Sequence, residues 1–342
     1  MPERGTVTLA DVAELAGVSL ATASRALNGS ARKVRPESLE RVHSAAQELR
    51  YTANVQAQAV ARGTTTTLAL VVGDIADPYF AAIAAGAIRA ADDAGLVVTI
   101  TSTGGDAARE ESVLAVIAGL RPRAVVLAVS RHLGGSSEAS RNGVAALVAG
   151  GAGVAALMSD VDGIAAGTPG VHGLVIRNLG GAAALAGALV EQGHDSFAVL
   201  AGDPDLVTAH ARVEGFVAGL AAHGIRLPDA AIVPSAFSRD GGYAAMSRLL
   251  DAGSVPRCVF AVTDLMAVGA VAAIRDRGLV PGVDVGVAGF DDVQMLADVV
   301  PALSTVRLPL EEIGALAVRR ALGEDVTGVV DGEVVLRAST AR

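Results

Sequence analysis

The 342-residue chain has no Trp, one Cys, one Lys and only 3% aromatic residues. A single thiol, Cys258, rules out an internal disulfide and any cysteine-cluster metal site, since structural zinc takes four ligands. Its neighbours Val255 and Val259 suggest plain burial. The six His are scattered without metal-ligand spacing such as H-E-x-x-H. The one lysine, Lys33, lies outside any P-loop, and neither Gly104-Gly105 nor Gly134-Gly135 extends to a G-x-G-x-x-G that opens a helix. With no G-x-S-x-G elbow either, no catalysis and no cofactor or metal are expected. No uninterrupted apolar run of about 18 residues occurs outside Ala/Gly-rich helical patterns, which argues against a membrane span. The opening Met1-Pro-Glu-Arg has no apolar signal segment, so a cytoplasmic protein is expected. No period of about 20–50 residues recurs, which argues against a solenoid.

What the chain does have is a 51% hydrophobic composition that must fill its cores with Ala, Val, Leu and Ile. Its length predicts two or three folding units. Charge is divided unevenly along it. Residues 1–62 carry eight Arg and Lys against six Asp and Glu, a net +2, so the total of −9 leaves −11 on the remainder. A small basic head can approach phosphates, while an acidic body needs no polyanion.

Leu9, Val12, Ala13, Leu15 and Ala16 follow helical spacing until Gly17 breaks it. Ser19 is placed to accept from the amides opening a second helix, whose inward face is Ala23, Ala26 and Leu27 and which ends at Asn28-Gly29. Its outward face carries Leu20, Ala21, Thr22, Ser24 and Arg25. Pro36 can start a third helix with the apolar stripe Leu39, Val42, Ala45, Ala46 and Leu49. Two short helices joined by a Gly-containing turn form a unit whose second helix enters the DNA major groove, although spacing alone also allows an ordinary helical hairpin with a solvated face.

The string Leu9-Ala-Asp-Val-Ala-Glu-Leu-Ala-Gly-Val-Ser-Leu-Ala-Thr-Ala-Ser-Arg-Ala-Leu-Asn-Gly29, with Val34-Arg-Pro-Glu37 and Leu49-Arg-Tyr51, closely resembles the head of LacI/GalR repressors. The resemblance implies a helix-turn-helix head over 1–51, a hinge helix and linker over 52–67, and a two-lobed effector-binding and dimerisation core over 68–342. It puts Leu20 and Ala21 at the positions that most often choose operator bases, where their readout is apolar, and lets Arg25 bond a guanine edge. Thr22, Ser24 and Asn28 mainly hold phosphates and register, and Ser19 completes the head's DNA-facing set. In the hinge it implies Asn54, Ala57 and Val60, with Val60 where a Leu wedge is usual and Ala53 where a Pro is usual. A shorter wedge fills an opened base step less well, so the predicted kink is weaker. The alternative for 52–62 is a solvated linker helix.

Beyond Thr67, short β-rich runs (68–72, 97–101, 124–129) alternate with helical stretches, one after Phe80 and one near Glu110. The alternation restarts at 173–176 and continues through 197–200, 231–233, 259–262 and 285–289. An α/β fold of two lobes, each a parallel sheet wrapped by helices, is expected. Ligands of open α/β sheets sit beyond the carboxyl ends of strands, and the residues just after these runs are polar or aromatic. In order and spacing they resemble the periplasmic-binding-protein-like core of the same family. That resemblance implies apolar walls from Tyr79, Phe80 and Phe237 and polar anchors from Asp160, Arg212 and Asp291, with Asp77, Thr208 and Thr263 also on the effector. Arginine's planar fork and acceptor carboxylates suit a sugar or nucleoside-like ligand.

Several residues depart from the family pattern or admit plainer readings. Thr263 stands where sugar-responsive members usually carry Asn, Arg177-Asn178 replaces a usual Asp-Asn, and 162–172 reads as a short insertion. Asp264 and Asp292 read as helix caps, Arg212 can alternatively pair with Glu214 or Asp203, and Phe216 reads as core. The implied protein is a homodimeric repressor on pseudo-palindromic operator DNA, its affinity set by a small effector. No Leu heptads follow the last strand-like run, 333–336, so a dimer is expected rather than a coiled-coil tetramer. An effector-independent regulator and a secreted solute-binding protein are the alternatives; the latter conflicts with the head and the missing signal.

Overall fold

The computed structural model describes residues 7–27, 34–52, 65–159, 169–253 and 255–342. Two compact units divide the chain, Met1–Thr65 and Thr66–Arg342. The hinge residues Ala53, Asn54, Ala57 and Val60, together with Asn28 and Asp160, lie outside the described residues.

The first unit holds three helices, α1 (Leu9–Leu15), α2 (Leu20–Leu27) and α3 (Pro36–Glu48). A capping box starts α1: the Thr8 hydroxyl accepts from the Asp11 amide, and the Asp11 carboxylate accepts from the Thr8 amide at 2.7 Å. Gly17 takes φ +62°, a left-handed conformation that a side chain resists, and this lets α2 follow α1 in a tight turn. Ser19 caps α2 by accepting from the Thr22 amide at 3.2 Å. The core is made of small residues: Val12, Ala13, Ala16, Ala23, Ala26, Val42, Ala45 and Ala46 are buried. Leu15 and Leu39 do not join it, at 48% and 37% exposure. Three helices this short converge on too small a volume to enclose the leucines at the ends of their stripes.

The second unit has two parallel sheets. Six strands make the first, in the order β11-β5-β4-β3-β1-β2: β1 Thr67–Val72, β2 Val97–Ser102, β3 Ala124–Ala128, β4 Gly153–Ser159, β5 Val171–Ile176 and β11 Val329–Val330. Helices α4 (Pro78–Asp93), α5 (Ala107–Leu120) and α6 (Glu138–Ala149) connect them. Along β1, Leu68, Leu70 and Val72 enter one core while Ala69 and Val71 enter another, so both faces are covered and the strand reads as a continuous apolar run.

The second sheet has the order β7-β6-β8-β9: β6 Phe197–Gly202, β7 Ile232–Pro234, β8 Cys258–Ala261 and β9 Gly286–Ala288. It is wrapped by α7 (Asn178–Glu191), α8 (Val207–Ala222), α9 (Arg239–Asp251) and α10 (Asp264–Asp276). Phe216 is core, stacked on Phe260 at 4.5 Å between ring centroids. The chain then forms β10 (Thr305–Arg307) and α11 (Leu310–Ala321), which packs on α4. After β11 in the first sheet comes β12 (Glu333–Val335), antiparallel to β10.

Two expectations change. Strand β4 sits inside the first sheet, yet its Ala-rich sequence follows an equally Ala-rich helix and carries no strand signature of its own. Helix α4 begins at Pro78 and not after Phe80: Pro78 is pre-set for the first helical turn, and the Asp77 carboxylate accepts from the Tyr79 amide at 2.9 Å. Tyr79 and Phe80 are therefore held on a helix, not on a loop.

Candidate functional site

In the first unit, α2 turns a small face outward. Leu20 is 54% exposed, Ala21 is exposed, and Thr22, Ser24 and Arg25 are half-buried. The Arg25 Nε donates to the Ala21 carbonyl one turn back at 2.9 Å, which aligns the guanidinium along the helix and spends one of its five N–H donors. Thr22 is tied to Ser19, hydroxyl to hydroxyl, at 2.8 Å.

In the second unit, a cavity lies at the carboxyl ends of strands from both sheets. Asp77, Tyr79, Phe80, Thr208, Arg212, Phe237, Thr263 and Asp291 all line it. Its centre is Arg212, brought in by α8 and only 1% exposed. The guanidinium donates from Nε to Asn178 Oδ1 at 2.9 Å, from one terminal nitrogen to the Val262 carbonyl at 2.7 Å, and from the other to Asp291 Oδ1 at 2.8 Å. Its plane stacks 3.9 Å above the Phe290 ring. Neither Glu214 nor Asp203 is its partner. Burial pushes the Asp291 carboxyl up to about 7 although Arg212 draws it down, and Asp77 pushes it further up. Burial likewise raises Asp77 above the ordinary carboxylate range and raises the Tyr79 hydroxyl.

Asp291 holds φ +116° and Asp292 φ +53°, conformations that non-glycine residues rarely adopt. Two backbone hydrogen bonds to Val306 and Leu308 fix Asp291, and Arg307 and Arg337 clamp Asp292. That clamp holds the Asp292 carboxyl below its usual range against the opposing effect of its burial. Asp292 is therefore a fastener of the turn that presents Asp291, not a helix cap. Asp264 is not a cap either: the cap of α10 is Thr263, and the fully buried Asp264 carboxylate accepts from Thr305 Oγ1 at 2.6 Å and the Val293 amide at 2.8 Å.

Both lobes seat an aromatic wall by the same device. A Cβ on Gly73 would lie 2.8 Å from the Phe80 ring, and one on Gly202 would lie 2.7 Å from Phe237. Glycine at the end of the first strand of each sheet therefore makes room for the ring. The lobes are also strapped together. The Val207 amide donates to the Arg131 carbonyl at 2.9 Å and the Leu133 amide to the Asp205 carbonyl at 2.8 Å, an antiparallel bridge centred on His132 and Leu206. Arg131 is pinned to Glu110 Oε1 at 3.1 Å and lines the cavity with Ser130, Ser159 and Asn178. The sequence reading passed over Ser130 and Arg131, although they stand just past β3, where the rule of residues beyond strand ends points.

Comparison with known proteins gives two family matches: residues 8–54 to bacterial regulatory proteins of the lacI family, and residues 186–340 to a periplasmic binding protein-like domain. The chain is similar to the transcriptional regulator GalR of Escherichia coli (strain K12), 31% identical with 98% of this chain and 96% of that protein covered. Among solved structures it is similar to a lac repressor dimer bound to operator and the anti-inducer ONPF (27% identity, TM-score 0.83, 99% of this chain and 100% of that one). It is also similar to a complex of the transcriptional regulator CelR with cellobiose (29% identity, TM-score 0.67, 97% and 99%). Among the described residues no helix is long and apolar enough to cross a membrane. With the head, the two-lobed core and these likenesses together, the chain belongs to the LacI family of bacterial regulatory proteins and is a DNA-binding transcriptional regulator, not an enzyme.

Proposed function

We propose that this regulator is a cytoplasmic homodimeric repressor whose affinity for a pseudo-palindromic operator is set by a sugar or nucleoside-like ligand held between the two lobes. The observation that carries it is the buried Arg212 cluster. It brings a stacked guanidinium, the carboxylate of Asp291 and the walls Tyr79, Phe80 and Phe237 to one cavity at the lobe boundary. Carboxylates accept from hydroxyls, and flat apolar walls suit a sugar ring or a base. Because the cavity spans both lobes, a ligand that fits one lobe arrangement better than another shifts their balance by that difference in affinity. In the head, Arg25 reads a base edge, Leu20 and Ala21 make apolar contacts, Thr22, Ser24 and Asn28 hold the phosphates, and Ser19 completes the DNA-facing set. Asn54, Ala57 and Val60 act in the minor groove when operator is bound.

A thermal-shift screen of sugars, nucleosides and purines tests the ligand half, since a molecule binding only the folded state raises Tm. A hit that also changes operator affinity in an electrophoretic shift assay, and that is lost in Asp291→Asn, supports the reading. A hit indifferent to that change moves the ligand elsewhere.

A further inference from the structure

We infer that bringing the two lobes together takes up a proton on a pair of carboxyls, Asp77 of the first lobe and Asp291 of the second, so that acid favours the strapped arrangement and rising pH loosens it. This holds whichever ligand the cleft takes. Asp77, Arg212 and Asp291 all line an inner chamber of about 50 Å³, room for a few water molecules. Each of the three nitrogens of Arg212 already donates, to Asn178, the Val262 carbonyl and Asp291. The other arginine of the chamber, Arg131, is held by Glu110. Among the described residues Asp77 accepts from neither; its Oδ1 takes the Tyr79 amide of its own helix end. Closure therefore sets a second carboxylate beside a matched ion pair and withdraws it from water, and both effects favour the protonated acid.

The surrounding groups push the same way. Burial is the largest influence on both carboxyls; on Asp77 the repulsion from Asp74 outweighs the attraction of Arg212, and Asp77 in turn pushes Asp291 up. Buried Tyr79 and Asp264, the other titratable neighbours, bring no positive charge. Towards the outer recess stand His132, Asp203 and the paired Arg239 and Asp240. The strap is the part that gives way. It is made of two backbone hydrogen bonds, from the Val207 amide to the Arg131 carbonyl at 2.9 Å and from the Leu133 amide to the Asp205 carbonyl at 2.8 Å. The chain passes between lobes at 176–178, 307–310 and 330–333, and the strap lies at none of these places, so it can open while the crossovers hold. The arrangement with the raised carboxyls binds the extra proton, so it is favoured as pH falls and is progressively lost as pH rises to about 7.

Hydrogen–deuterium exchange of the full chain between pH 5 and 8, corrected for the intrinsic exchange rate, is the test. Peptides carrying Leu133 and Val207 report the strap, and peptides from β3 and β6 serve as the reference for global unfolding. Strap protection is expected to fall at least about tenfold from pH 5 to 7, one proton allowing at most about tenfold per pH unit, while the strand peptides hold steady. Asp77→Asn keeps the oxygen that accepts the Tyr79 amide but carries no charge, so its strap should stay protected at every pH. Because histidine in general changes charge in this range, His132→Gln is the control, and it should keep the wild-type slope. Flat protection in wild type, an unchanged slope in Asp77→Asn, or a slope lost in His132→Gln overturns the inference. So does a fall shared equally by strap and strands, which would report global stability and not the joining of the lobes.

Discussion

Helix α2 of the head and the floor of the cleft each centre on one arginine, and they treat it in opposite ways. Arg25 lies half-exposed on α2 with a single bond to its own helix, above a core of alanines and valines. Arg212 is 1% exposed, makes three hydrogen bonds and faces a buried carboxylate. A surface whose donors are unspent is prepared for a partner and contributes little to folding. A buried cluster whose charges answer one another is part of the fold, so its geometry and the stability of the lobe rise and fall together.

That contrast breaks first at Arg212. Arg212→Ala leaves Asp291 buried without its cation and should lower the unfolding free energy by about 3–5 kcal/mol, read from the midpoint of urea denaturation; a loss below about 1 kcal/mol would mean that the cluster is not structural. Arg25→Ala should leave stability within about 0.5 kcal/mol while costing about 1–3 kcal/mol of operator discrimination and preserving a salt-sensitive residual. Undiminished operator affinity would remove α2 from base readout.

The comparison sharpens with pH, because among the described residues the buried carboxyls with raised pKa, Asp77, Asp264 and Asp291, all belong to the second unit. Asp291 at about 7 keeps its proton in the folded state after the unfolded chain, near 3.9, has released it. Stability from this group is therefore fully present below about pH 4 and lost as pH rises to about 7, and Asp77 and Asp264 act in the same direction. Asp292, shifted down, opposes them below its unfolded value. Denaturation curves between pH 4 and 7 should show Asp291→Asn with a shallower decline than wild type; parallel declines would sink the assignment. The smallest effect belongs to Leu20→Ala, an exposed side chain in the isolated protein, expected to change stability by less than about 0.5 kcal/mol and operator affinity only modestly. A stability loss above 1 kcal/mol would show that Leu20 packs within the head.

Much of the fold was legible because its signals are local. Gly17, Ser19 and Pro36 punctuate the head, and apolar runs bounded by polar residues mark most strands of the core. The eight effector-set residues among those described, implied by the resemblance to the family core, all line one cavity. The rest was not local. β4 is hidden by alanine, which serves helix and strand alike in this chain. Asp264 and Asp292 read as caps because a cap is the common fate of an Asp after a strand, whereas their partners, Thr305, Arg307 and Arg337, arrive from much later in the chain.

Sequence by itself determined the small-residue cores, the helix-turn-helix spacing and the two-lobed α/β alternation, since capping, periodicity and turn chemistry act over a few residues. Only the tertiary structure decided which carboxylate Arg212 meets, that Arg131 and Leu133 strap one lobe to the other, and that two glycines seat the opposing aromatic walls. Apart from Gly73 and Phe80, those contacts join residues that the chain itself keeps tens of positions apart, and their pairing is set by packing and by the cost of burying an unmatched charge.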